Sequence, residues 1–433
     1  MYYAPLGLRA RQPCKSKIYA PQGVALRVKL FAYQQQILFT CFVQPMSNNR
    51  YSIILPAWYP TKEQPLNGIF IKKHVQLISS FIPCKVLYAV AVNPGSEQQP
   101  DIEETTTGNL SEVTVYYKAS TNRLLNQLLQ LRALWKGYRH ISKQYGKPVV
   151  VHNHVVFPAG YFASFISSAN KLPLLITEHW SGYTKADGRY AKQSFLHHYL
   201  TQKAFARAKA VSVVSNFLKE AITQTGLLNT SSKVYITSNV MNEGSEDIML
   251  RQFNPQQPKA LFIGNLNDHE KNVSGILEAC ARVVQHYPEF KLTIVGGGPE
   301  KATFEMKARK LGLLNWNVFF TGAVPNHTLS DYYKAADFFV LNSHFETFNI
   351  AAAEALLYGL PVVSTRCGGP EEFVNETNGV LTEVNNADKL AETMLQLIKN
   401  YEHYDRKAMC VRMKQQYSNA VITEQFKKMY SLA

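Results

Sequence analysis

Two patterns alternate along the chain. Short apolar runs at 53–55, 86–92, 113–117, 149–151, 174–177, 210–214 and 234–236 are too brief for helices and suit strands buried on both faces. Helical patterns separate them, and the clearest is predicted over Asn122 to Tyr145, where Leu124, Leu128, Leu131 and Leu134 recur at helical spacing. A polar stretch from Met241 to Lys259, with Asn, Gln and two Pro, interrupts the series. The alternation then resumes with strands at 260–264, 291–295, 317–321, 337–341, 361–364 and 379–381, and a last helical pattern starts near Thr423. Alternating β and α with crossover connections predicts parallel sheets, here two doubly wound α/β domains. Ligands of such sheets bind beyond the carboxyl ends of the strands, which places the expected site in the cleft between the domains.

Length agrees with this division, since 433 residues exceed one ordinary core and suit two domains of roughly 200 residues. No run of 18 residues is continuously apolar, so a membrane-spanning helix is not expected. The net charge of +15 is partly local: residues 1–46 hold six Lys or Arg and no acid, leaving 40 basic against 31 acidic residues, or +9, for the remainder. That surplus suits an anionic nucleotide or an acidic membrane surface as well as a basic solvated surface. No zinc-finger, RNP or basic-helix pattern accompanies it, and nucleic acid is not an expected partner. The six cysteines (14, 41, 84, 280, 367 and 410) are scattered with no C-x-x-C pair, as in reduced cytoplasmic proteins without a zinc site.

The chemistry concentrates near the C-terminal end. Glu346-Thr-Phe-Asn-Ile-Ala-Ala-Ala-Glu354 follows the apolar run Asp337–Asn342, while Ile350, Ala353 and Leu357 keep helical spacing after it. Glu346 is therefore expected in a loop and Glu354 inside the helix. Between them lie the first N–H groups of that helix, which lack intrahelical partners and favour an anion such as a pyrophosphate. A helical rise of about 1.5 Å per residue sets the two carboxylates roughly 12 Å apart at most, enough for a sugar at one end and a ribose at the other. Gly296-Gly-Gly-Pro299 is a strand-to-helix turn that lacks the third glycine of a dinucleotide fingerprint, which disfavours an NAD enzyme.

The Glu346–Glu354 segment resembles the E-x7-E segment of the group 1, family 4 retaining glycosyltransferases, which have the GT-B fold of two facing Rossmann-like domains. The resemblance runs from about Tyr51 to the C-terminus. Leu261-Phe-Ile-Gly-Asn-Leu266, Leu292–Glu300, Val318-Phe-Phe-Thr-Gly-Ala-Val324, the double-Glu segment and Gly368-Gly-Pro-Glu-Glu372 carry it in order and spacing. It implies an N-terminal acceptor domain at 47–240, a linker at 241–259 and a donor domain at 260–417. A C-terminal helix at about 418–433 would cross back onto the first domain. Tyr51–Pro60 resembles the family's opening strand and loop, so Met46 is the expected start, with 1–45 a non-native or disordered extension or else a membrane-associating arm.

The resemblance implies transfer of a sugar from a UDP- or GDP-linked donor to a glycan or lipid-linked acceptor, as in cell-surface polysaccharide or lipopolysaccharide synthesis. It implies no cofactor and no required metal, and the leaving phosphate helps deprotonate the acceptor on the same face. By this resemblance His179 donates to the sugar or to developing charge, Glu346 orients the sugar hydroxyls, and Glu354 accepts from the ribose. Thr347, Phe348 and Asn349 present backbone donors to phosphate, Val324 lines the donor site, and Gly68 lets backbone approach the donor. Lys271 neutralises the diphosphate. Asn265 stands where the family has Arg in G-R-L, and it can only hydrogen-bond, so Lys271 must do more or another cation must substitute. An epimerase of the same fold and a non-catalytic nucleotide-sugar binder are the alternatives. Basic and aromatic residues of the 122–145 helix (Arg132, Trp135, Lys136, Tyr138, Arg139) suit docking on the inner face of a membrane.

Overall fold

The computed structural model describes residues 50–92, 101–242 and 251–433. The expectations for residues 1–46 and for linker residues 243–250 lie outside the described residues.

Continuous apolar runs become buried parallel strands. β1 (Ser52–Pro56), β2 (Cys84–Val92), β3 (Ile102–Thr107), β4 (Leu110–Lys118), β5 (Val150–His154), β6 (Leu174–Glu178), β7 (Ala210–Val213) and β8 (Val234–Ile236) form one sheet, ordered β3-β4-β2-β1-β5-β6-β7-β8. β9 (Lys259–Ile263), β10 (Lys291–Val295), β11 (Val318–Gly322), β12 (Phe338–Leu341), β13 (Val362–Thr365) and β14 (Gly379–Thr382) form the second, ordered β11-β10-β9-β12-β13-β14. Every pairing is parallel except β3 with β4. In each sheet the order reverses beside a central strand, the switch point where doubly wound sheets open a crevice.

The apolar runs do not mark every strand. β3 is absent from them, and it pairs antiparallel with β4 from Ile102↔Val115 to Thr107↔Leu110. Its mostly half-exposed or exposed, Thr-rich pattern lacks the apolar run of a buried strand, and the signals that mark it are β-branched Thr105–Thr107 and the two-residue turn Gly108-Asn109. The long helix expected over Asn122 to Tyr145 is present, running from Arg123 to Tyr145 with the Asn122 side chain capping it. Its leucine stripe does not face the core: Leu124, Leu128 and Leu131 are 73%, 63% and 44% exposed, whereas Ala133, Leu134, Tyr138 and Ile141 are buried. The sheet also presses on Gly137, where a Cβ would meet Leu87 and Val115 side chains, and this fixes which face turns inward.

The helix Asn419–Tyr430, capped by Ser418, lies on the first sheet. Phe426 is fully buried, and the Tyr430 hydroxyl lies 3.0 Å from Ser52 Oγ and 2.9 Å from His152 Nδ1.

Backbone contacts at two glycines set the cleft loops. Gly296 has φ 148°, and a Cβ there would sit 1.8 Å from the Gly264 carbonyl oxygen. Gly68 has φ 66°, and a Cβ would lie 2.5 Å from the Trp58 carbonyl. Gly296→Ala is therefore expected to destabilise the fold by about 3 kcal/mol or more, since backbone rather than a flexible side chain must give way. Denaturant unfolding of the purified variant checks this.

Candidate functional site

The loops that leave the carboxyl ends of the strands enclose a cavity of about 420 Å3. Trp58, Phe70, His179, Trp180, Ser181, Arg189 and Asn239 line it from the first sheet's side, and the segments 263–265, 270–271, 345–347 and 349–351 from the second's.

Lys271 and Glu346 form its polar centre. The Lys271 Nζ donates to Glu346 Oε1 and to Glu270 Oε1, both at 2.7 Å. Burial alone would lower the ammonium pKa, but the carboxylates of Glu346 and Glu270 overcome it and hold it above its ordinary value, so Lys271 stays charged. Glu346 Oε1 also accepts from Ser343 Oγ at 2.7 Å and from Asn349 Nδ2 at 2.8 Å. The Glu346 N–H donates to the Cys367 carbonyl, and its own carbonyl accepts from the Gly369 N–H, so the loop is tied to the Gly368-Gly369 turn from both sides.

The helix Ile350–Leu357 begins here. Asn349 caps it with φ 71°, its Oδ1 accepting from the Ala352 N–H at 2.8 Å. Asparagine tolerates the left-handed conformation because its short amide bonds locally. Thr347, Asn349, Ile350 and Ala351 line the cavity, so the free N–H groups of the helix start belong to its wall. Phe348 does not line it, because its ring is buried against Phe373 and Tyr417.

The remaining expected residues divide. Asn265 lines the cavity and His179 faces it from across. Gly68 and Val324 are not among the lining residues; Gly68 starts the helix Ile69–Ser79, which brings Phe70 to the wall, and Val324 packs on the core beyond β11. Glu354 is also not among them. It is 2% exposed and already engaged: Oε1 accepts from the Asn242 N–H at 2.7 Å, Oε2 accepts from the Tyr333 hydroxyl at 3.0 Å, and Lys73 Nζ stands 3.9 Å away. Burial raises its pKa, opposed by Lys73 and these donors.

Sequence reading did not single out the buried groups beneath His179. Glu178, at the end of β6, accepts from the N–H groups of Val156 and His179 and from the Tyr183 hydroxyl. Burial still pushes its pKa up to about 7. His74, His154 and His179 offer ring nitrogens within 4.8 Å of one another, and His152 flanks the set by ring contact with His154. Burial lowers all four pKa values, His74 to about 4 and His152 to about 3. His179 is thus neutral at pH 7 and brings no charge to the cavity wall. Arg189 was also missed. With Lys271 it makes the two Lys or Arg side chains among the described lining residues.

Histidines held neutral when folded but free to protonate near pH 6.5 when unfolded supply stability that is complete above pH 6.5 and lost as pH falls through their folded values. The melting temperature is expected to fall progressively from pH 6.5 toward pH 4, with a shallower slope in His74→Asn, as read by thermal unfolding across that range.

Comparison with known proteins follows this geometry. Residues 246–413 match the family profile described as "Glycosyl transferases group 1", and residues 88–240 match "Glycosyltransferase Family 4". The chain is 31% identical over 265 residues to a putative teichuronic acid biosynthesis glycosyltransferase of Bacillus subtilis, covering 59% of this chain and 62% of that one. It is 33% identical over 153 residues to a GDP-mannose-dependent alpha-mannosyltransferase of Corynebacterium glutamicum, covering 34% of each. The matches to the first curated relatives span only 59% to 66% of those proteins' length. Among solved structures, Anabaena HepE in complex with UDP superposes with TM-score 0.65 at 16% identity over 88% of this chain and all of that one, and the lipopolysaccharide outer core galactosyltransferase WaaB gives 0.61 over 88% and 99%. These likenesses show the GT-B fold. The two matched profiles, one over 88–240 and the other over 246–413, place the chain in the group 1, family 4 glycosyltransferases.

Proposed function

We propose that the protein is a retaining glycosyltransferase that moves a sugar from a UDP- or GDP-linked donor to a glycan or lipid-linked acceptor of a cell-surface polymer. The observation that carries this reading is the buried Lys271–Glu346 pair at the free start of the helix Ile350–Leu357, facing neutral His179 across the cavity. The helix N–H groups and Lys271 suit a diphosphate, and the Glu346 oxygens suit sugar hydroxyls. In the reaction the bond from the anomeric carbon to the diphosphate breaks as the acceptor oxygen bonds that carbon on the same face. The acceptor proton passes to the departing phosphate oxygen, so no separate protein base is required. Names of relatives support the acceptor class: besides the teichuronic acid protein, an alpha-monoglucosyldiacylglycerol synthase of Streptococcus pneumoniae is 26% identical over 243 residues.

We place the protein in the cytoplasm, against the inner face of the membrane. No described helix is long and apolar enough to cross a membrane. Support for surface docking comes from the outward leucines 124, 128 and 131, with Trp135 and Phe165 in ring contact at 6.1 Å and exposed Arg132 and Arg139 beside them. Lys136 is paired with Asp101.

Two outcomes test the proposal. A panel of UDP-, GDP-, ADP- and CMP-sugars assayed for transfer or hydrolysis should reveal one accepted donor with retained anomeric configuration by NMR. Glu346→Gln should lower kcat about 100-fold or more with the fold intact; turnover with inversion, or full activity in the variant, defeats the reading. Separately, Leu128→Glu with Leu131→Glu should weaken binding to vesicles of anionic lipid at least tenfold in flotation assays while leaving nucleotide binding unchanged.

A further inference from the structure

On the second sheet's side, the one cation that lines the cavity among the described residues is already held by carboxylates. Lys271 is shared between Glu346 and Glu270, and these three side chains sum to one net negative charge where a further dianion would have to sit. Asn265, on the loop beside Lys271, hydrogen-bonds but carries no charge. The helix start contributes only partial charge.

Across the cavity lies Arg189. Its Nε donates to Asp187 Oδ1 and its Nη2 to Asp187 Oδ2, both at 2.6 Å, and Nη2 also donates to Ser181 Oγ at 3.2 Å. Asp187 is buried, with a side chain 1% exposed, whereas the Arg189 side chain is 58% exposed and lines the cavity. One edge of the guanidinium is thus clamped and the other turned to the cavity, where it feels the Glu270 carboxylate; among the described residues Nη1 has no hydrogen-bond partner. The Trp180 ring lies 5.6 Å from the guanidinium carbon and limits its swing. A fixed fork with free donors is the arrangement that binds phosphate oxygens with least ordering cost.

Building on the reading of the cleft as a nucleotide-sugar site, we infer that Arg189, reaching from the acceptor side, supplies the phosphate-binding cation that Asn265 does not, so that the diphosphate is clamped between the two domains. The clamp then draws one cation from each sheet, Lys271 from the second and Arg189 from the first.

The test uses the full chain and two probes, nucleoside diphosphate and nucleoside monophosphate of the accepted base, measured by titration calorimetry. Arg189→Gln keeps a donor for Asp187 and preserves the loop; Arg189→Ala leaves Asp187 buried without its partner and serves as the harsher variant. Arg189→Gln should weaken the diphosphate at least tenfold and the monophosphate less than twofold, and adding Asn265→Arg to it should restore most of the loss. Unchanged diphosphate affinity in Arg189→Gln, equal losses for both probes, or no recovery with Asn265→Arg would each overturn the assignment while leaving the donor site standing. Wild-type protein that needs Mg2+ for tight diphosphate binding, with Arg189→Gln no weaker, would give the role to a divalent cation. Failure of the wild type to bind any nucleoside diphosphate would overturn both this and the donor-site reading.

Discussion

The buried ion pair between Lys271 and Glu346 is the constraint around which the cleft is arranged. Two charges removed from water cost several kcal/mol each unless geometry and further hydrogen bonds compensate. Here the compensation is dense: one carboxylate oxygen takes Lys271, Ser343 and Asn349 together, and Glu270 takes a second proton of the ammonium. Asn349 in turn caps the helix that follows. The pair therefore fixes the loop after β12, the loop after β9 and the start of a helix in one network. Losing either charge would strand the other, which makes the site rigid before any ligand arrives.

A second network crosses between the domains. Glu354 takes the backbone N–H of Asn242, at the end of the first domain, and approaches Lys73 on that domain's first helix. Glu372 takes the Phe217 N–H at 2.7 Å and approaches the Asn216 amide at 3.2 Å from the other side. Carboxylates of the second domain thus hold backbone donors of the first at two places. A ribose hydroxyl that took Glu354 would have to share it with, or displace, the Asn242 N–H.

Much of the fold was legible because strands buried on both faces must be continuously apolar, and all thirteen such runs became strands. β3 was not, because an edge strand with a solvated face has no such run, and only its turn and β-branched residues mark it. The outward leucines of the long helix show another limit: spacing reveals that a helix has an apolar stripe but not which stripe meets the sheet, and Gly137 decides that here. Lys271, Glu346 and Asn265 were found because the resemblance fixes them by local motif, and they converge on one cavity. Glu178, the histidine cluster and Arg189 escaped because their roles arise from burial and from partners on other strands. Glu354 was found, but its engagement with Asn242 depends on how the chain passes between the domains.

The contact between Gly296 and the Gly264 carbonyl carries a consequence for the cleft. Backbone rests on backbone there, so the path of the loop that presents residue 265 does not depend on which side chain stands at 265. Shape and charge of this loop are thus set by different residues. A side chain of another charge at 265 would change the potential of the cleft and leave its outline as it is.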